Sequence, residues 1–123
     1  MERVTGIGGV FFRARDPKTL LAWYREILGA PVGNEDLVIF PESRNTHWVP
    51  FPSDTTYWPA ERELMVNYTV GDLDAMLEQL RRAGVTVDEH VEEHEFGRFG
   101  WCWDPEGNRV ELWEPPEGPL PVP

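Results

Sequence analysis

The feature that most constrains this chain is a repeat of about half its length. Two helices begin at an aspartate cap, Asp16 and Asp72, 56 residues apart. Each stops at a glycine, Gly29 and Gly84, and each glycine is followed by a valine, Val32 and Val87, at a spacing of 55. Asp16-Pro17 supplies an N-cap and a proline at the first helical position. Leu20, Leu21, Tyr24, Ile27 and Leu28 recur at helical spacing, as do Leu73, Met76, Leu77 and Leu80 in the second copy. The repeat is longer than that of common solenoids and occurs only twice. It predicts a duplicated module of strand, helix and further strands. One face of each sheet then meets a helix, and the other curves around a partner sheet or a ligand.

The strands follow from alternation and turn chemistry. Strands are expected at 7–14, at 32–40 around a turn at Gly33-Asn34, at 47–51, at 64–70 and at 85–87. Residues 88–95 read as a charged, solvated loop holding His90 and His94. The sharpest signal lies between 97 and 115. Two aromatic and β-branched runs flank Asp104-Pro105-Glu106-Gly107-Asn108, a stretch with turn chemistry at each position. In register, this hairpin puts Phe99, Trp101 and Trp103 on one face with Arg109, Glu111 and Trp113. Cys102, Val110 and Leu112 then point toward the helices, which makes Cys102 a buried structural thiol. The same periodicity turns Phe11 and Arg13 inward on the first strand, and Met65, Asn67 and Thr69 inward on its counterpart.

With 123 residues the chain is sized for a single domain spanning 1–123. Module one takes about 5–60, module two about 61–115, and 116–123 form a proline-rich tail. The 22 acidic against 11 basic residues leave no basic face for nucleic acid. No run reaches the length of a membrane span, and the lone cysteine suits a reducing compartment, so a cytoplasmic protein is expected.

Three segments, Asp16-Pro17 through Trp23-Tyr24-Arg25-Glu26-Ile27-Leu28-Gly29, Val70-Gly71-Asp72-Leu73-Asp74 with Ala83-Gly84-Val85, and Asp104-Pro105-Glu106-Gly107-Asn108 with Val110-Glu111-Leu112, resemble the vicinal oxygen chelate superfamily. That superfamily includes glyoxalase I, the bleomycin-resistance proteins and the extradiol dioxygenases. The resemblance implies an α+β fold in which tandem βαβββ modules form a curved, open-barrel mixed sheet around a cavity, and a homodimer. It also implies four metal positions on first and last strands. Here they fall on Gly9, near His47 or Trp48, on Met65 and on Glu111. Only Glu111 and His47 bring ligand chemistry, fewer than the three protein ligands of a usual catalytic site. No cofactor is therefore expected, and a divalent metal, if any, would sit on Glu111 and His47.

The expected function is metal-free binding of an aromatic or amphipathic small molecule in the concave cavity. Phe11, Arg13, His47, Trp48, Met65, Asn67, Phe99, Trp101, Trp103, Arg109 and Trp113 are its candidate contacts. Glu111 is expected as a lone carboxylate, poised as acid or base or salt-bridged to Arg109 or Arg13. The alternative is a glyoxalase-like lyase or isomerase. It would use Glu111 as acid or base, with or without a divalent metal, while Arg13, Arg109 and Asn67 hold an oxyanion or carboxylate.

Overall fold

The computed structural model describes residues 2, 10, 14–34, 36–40, 49 and 51–118. The strands expected at 7–14 and 47–51, with Gly9, Phe11, Arg13, His47 and Trp48, lie largely or wholly outside these residues, as does 119–123 of the tail. The fold is α+β. Helix α1 spans Pro17–Glu26 and helix α2 spans Leu73–Arg82. Between them a short hairpin pairs β1 (Val32–Gly33) with β2 (Val38–Ile39). The second module supplies β3 (Val66–Thr69), β4 (Glu92–His94), β5 (Gly97–Trp103) and β6 (Arg109–Glu114). These four make an open sheet in the order β3-β6-β5-β4, with β3 parallel to β6 and the other pairs antiparallel. The second module is thus βαβββ. Among the described residues, no helix is long and apolar enough to cross a membrane.

Both helices start where the sequence says they should. Asp16 accepts from the backbone N–H and the hydroxyl of Thr19, and Asp72 accepts from the N–H of Ala75. Each cap satisfies a donor that the helix cannot pair internally. Gly29 and Gly84 follow the helices at positive φ, 77° and 78°.

The apolar stripe of α2, Leu73, Leu77 and Leu80, is almost wholly removed from water. It packs on the sheet face made by Cys102, Val110 and Leu112, and Leu20, Tyr24 and Leu28 of the first module complete the same core. Burying each leucine contributes roughly 1.5–3 kcal/mol. Gly100 lets α2 approach, since a Cβ there would stand 3.2 Å from Leu77 and 3.3 Å from Leu73. The amide of Gln79 donates to the carbonyl of Ile27, tying α2 to the end of α1. Cys102 lies in this core, and burial pushes its thiol up to about 12, which leaves it inert at neutral pH.

Asp104 and Glu106 of the β5–β6 turn join the two modules. The Asp104 carboxylate is buried and accepts from the Tyr24 hydroxyl of α1 at 2.9 Å. It also accepts from the backbone N–H groups of Glu106 and Asn108 and from the Asn108 amide. Glu106 reaches back to α1, where its oxygens accept from the N–H groups of Arg15 and Asp16 at 2.7 and 2.9 Å. Those bonds hold the Glu106 carboxyl below the usual glutamate range. Gly107, at φ 81°, closes the turn where a side chain would be strained.

Two expectations are corrected. The segment 85–87 is not a strand: Val87 makes one bridge to Cys102, and the edge strand is Glu92–His94, inside the stretch expected to be loop. The free hydrogen-bonding edge of the first half of β5 takes the chain just before it, and charge on an edge strand is tolerated because one side meets water. The 32–40 strand is also shorter, two residues on each side of a turn in which Asn34 accepts from the N–H of Asp36.

Asp104→Ala should therefore destabilise the fold by about 3 kcal/mol or more, because it strands several donors at once. Tyr24→Phe, which leaves the rest of the turn intact, should cost about 1.5 kcal/mol. Urea denaturation midpoints check both. Equal, near-zero effects would show that the turn does not hold α1.

Candidate functional site

The sheet face turned away from the helices carries the predicted side chains in the predicted register. Phe99 lies opposite Trp113, Trp101 opposite Glu111 and Trp103 opposite Arg109. On the other flank of β6, Asn67 pairs with Glu111. Met65 stands half-buried just before β3.

Glu111 is 8 % exposed and its two oxygens are separately engaged. The Asn67 amide donates to one at 2.8 Å and the Trp101 indole N–H donates to the other at 2.9 Å. Both donors are neutral. Of the alternatives open for Glu111, the salt bridge to Arg109 does not form, and Arg13 lies outside the described residues. Arg109 instead pairs with Asp88 at 3.3 Å and donates to the carbonyl of Tyr57. Its guanidinium sits over two indoles, 4.9 Å from the ring centre of Trp101 and 5.7 Å from that of Trp103. Its Nε is buried and has no hydrogen-bond partner among the described residues.

The connection from Phe51 to Arg62 crosses this face and covers its middle. Tyr57 packs edge-on to Trp101, and its hydroxyl donates to Glu92 at 3.1 Å. His90 stacks parallel to Trp101 with ring centres 6.0 Å apart, and His94 stacks on Phe99 at 5.1 Å. Phe99 in turn stacks on Trp113, whose indole donates to the carbonyl of Phe96. Trp101 is thereby only 2 % exposed: it forms the floor beneath Tyr57 and His90 and lines no open space.

Open space remains at the Trp103 end. An open groove of about 410 Å³ is bounded by Thr55, Thr56, Trp58, Pro59 and Ala60 of the connection and by Trp103 and Arg109 of the hairpin. Trp58 is held there by its indole bond to the carbonyl of Arg62, and Arg62 donates to the carbonyl of Glu106 in the β5–β6 turn. A second, smaller cavity of about 250 Å³ adjoins the start of α1, where Glu106 already meets the N–H groups of Arg15 and Asp16.

Of the sequence-predicted side chains, Asn67, Trp101 and Glu111 form one hydrogen-bonded group, and Trp103 and Arg109 form a cavity wall. Phe99 and Trp113 stack farther along the face. Reading from sequence missed Tyr57, Asp88, His90 and Glu92. One signal was available. His90, Glu92 and His94 alternate as residues of one strand face do, while Val91 between them packs against the core.

The donors around Glu111 do not fit a divalent ion. An amide N–H and an indole N–H point at the carboxylate where a cation would have to sit. No group of three or more His, Cys, Asp or Glu side chains is placed to hold a metal among the described residues.

An open mixed four-stranded sheet with helices packed on one face defines an α+β domain of the glyoxalase-like kind. The chain belongs to the glyoxalase-like domain family, whose model matches residues 9–113, and so to the vicinal oxygen chelate superfamily. A glyoxylase/bleomycin resistance protein/dioxygenase domain from Frankia sp. EAN1pec is similar in structure, with a TM-score of 0.59 and 20 % identity over 95 % of this chain and 96 % of that one. TnmS3, an antibiotic-binding protein from Streptomyces sp. CB03234, is similar at a TM-score of 0.52 and 22 % identity, over 82 % and 88 %. The likeness to a glyoxalase family protein from Enterococcus faecalis, at a TM-score of 0.40 and 21 % identity, spans 52 % of each chain. No curated protein sequence gives a significant match.

All three tyrosines are held in their neutral form. Burial pushes Tyr57 up to about 12, helped by the charge of Glu111 and the bond to Glu92; burial likewise raises Tyr68 to about 12 and Tyr24 higher. In the unfolded chain these phenols ionise near 10. Stability is thus fully present below pH 10 and falls as the pH rises from there through 12. Native protein should show little tyrosinate absorbance at pH 10, and its urea midpoint should drop between pH 10 and about 12. Normal phenol titration in the native state would contradict the packing of Tyr57 on this face.

Proposed function

We propose that this protein binds an aromatic or amphipathic small molecule, without a metal, in the cavity between Trp58 and Trp103. The observation that carries the reading is that cavity. Its volume of about 410 Å³ falls within the usual range for small-ligand sites of roughly 300–1,000 Å³. Two indoles and a proline wall it, with hydroxyls and a guanidinium as the polar minority. Sites of this composition gain affinity from ring burial and orientation from a few polar groups.

Glu111 enters this reading as a scaffold group. With both oxygens bound by N–H donors, it fixes the Trp101 ring and the β3 edge. Trp101 in turn supports the Arg109 guanidinium that borders the cavity. Binding by TnmS3 of an antibiotic supports the class of activity, since that protein shares the fold.

The test is tryptophan-fluorescence titration of chelator-treated protein with a panel of planar aromatic compounds. Saturable quenching should appear and should be unchanged by EDTA. Ala60→Trp, which places a bulky ring at an exposed position on the cavity rim, should weaken it by about tenfold or more, the loss of roughly 1.4 kcal/mol. Binding that requires added divalent metal, or that ignores Ala60→Trp, would overturn the reading.

A further inference from the structure

We infer that Arg62, a residue outside the groove, is the positioning residue that holds its Trp58 wall and thereby decides how tightly the groove grips a flat ring. This deepens the preceding reading and rests on it.

The two walls of the groove differ in origin. Trp103 and Arg109 stand opposite each other on β5 and β6, and the strand pairing fixes them. Trp58 and Pro59 stand on the connection, which has no helix or strand of its own. The separation of the walls is therefore set by how the connection is docked on the sheet. Around Trp58 the connection is a closed turn. The N–H of Arg62 donates to the carbonyl of Pro59 at 3.0 Å, and the Trp58 indole donates to the carbonyl of Arg62 at 2.9 Å. Phe51 packs edge-on to Trp58 with ring centres 5.1 Å apart, but it belongs to the same connection and ties nothing to the sheet.

Two arginine–carbonyl bonds dock this turn, one on each side of Trp58. Before it, Arg109 donates to the carbonyl of Tyr57. After it, Arg62 donates to the carbonyl of Glu106 at 2.9 Å. Without either bond, Trp58 is held from one side. The two arginines have different standing toward a ligand. Arg109 borders the groove, whereas Arg62 is not among the residues that line it, so Arg62 acts on a ligand only through Trp58. Its anchor is stiff. The Glu106 carboxylate takes the N–H groups of Arg15 and Asp16, and the Glu106 N–H is bonded to Asp104. A bond to a carbonyl fixed in this way transmits position from the β5–β6 turn to the indole. A wall ordered before the ligand arrives spares the ordering cost at binding, which is how a residue out of reach of the ligand raises affinity.

Phenazine, a flat uncharged tricycle, is titrated by tryptophan fluorescence into the full-length wild type, Arg62→Ala and Arg62→Lys. Arg62→Ala should bind it about fivefold or more weakly, the loss of one charge-assisted hydrogen bond and of the order it imposes. The urea midpoint should stay near wild type, because Arg62 is exposed. Arg62→Lys, which keeps a cationic N–H donor, should recover part of the affinity. Fluorine NMR of ligand-free protein labelled with fluorotryptophan gives a second readout, with Trp58→Phe assigning one of the six tryptophan signals. In Arg62→Ala the Trp58 signal should shift or broaden while the other five hold. Unchanged affinity in folded Arg62→Ala, or weaker binding with the Trp58 signal unmoved, would overturn this inference and leave the groove reading intact. A lower urea midpoint with all six signals altered would show a general structural role and overturn it as well. Failure of phenazine to bind wild type would overturn the grip assigned here, while the broader aromatic panel decides separately on the groove.

Discussion

The hydrogen bond from Tyr24 to Asp104 is the interaction on which the rest of the structure leans. It spans 80 residues of sequence and crosses from the first module to the second. Asp104 can accept it only because the turn has already organised its carboxylate, through the backbone of Glu106 and Asn108 and the Asn108 amide. The turn's next residue but one, Glu106, takes the two N–H groups at the start of α1 and offers its carbonyl to Arg62. One five-residue turn therefore positions a helix on one side and the cavity-forming connection on the other. A charged acceptor out of water is worth about twice a neutral one, which explains why an acid sits in a place where size alone would admit an asparagine.

That arrangement divides the sheet's two faces by task. The helix side holds Cys102, Val110 and Leu112 against leucines, and a core of that kind has little tolerance for change. The other side is aromatic and polar, and much of its order comes from ring stacking and single hydrogen bonds. These terms are individually small, about 0.5–1.5 kcal/mol for an aromatic pair, so this face can be remodelled without loss of the fold. A protein needing to fit a new ligand would change the connection around Trp58 and leave the β5–β6 turn alone.

How much of this could be read in the sequence depends on how local each feature is. The helix starts at Asp16 and Asp72 and the register of the β5–β6 hairpin are set by residues a few positions apart, and the structure agrees with both. The core of leucines follows from periodicity. Misreadings came where the deciding partner is distant. Glu92–His94 becomes a strand because β5 offers it an edge, which overrides a run of charge. Trp101 was legible as inward-facing, but only the return of Tyr57 from a connection 44 residues upstream decides that it is floor and not wall. The partner of Arg109 was left open for the same reason. Glu111 lies two residues away in the sequence on the same strand face, yet Asp88, 21 residues away, takes the charge.

Glu111 shows that a carboxylate in a suitable place does not by itself define the chemistry. The resemblance implies a metal position at this carboxylate, which is buried. Its neighbours do not suit one. A metal-binding carboxylate presents its lone pairs to a cation and is steadied from behind. Here N–H groups of Asn67 and Trp101 occupy both oxygens from the front. The acid has become an internal strut that links β3, β5 and β6 across one sheet face.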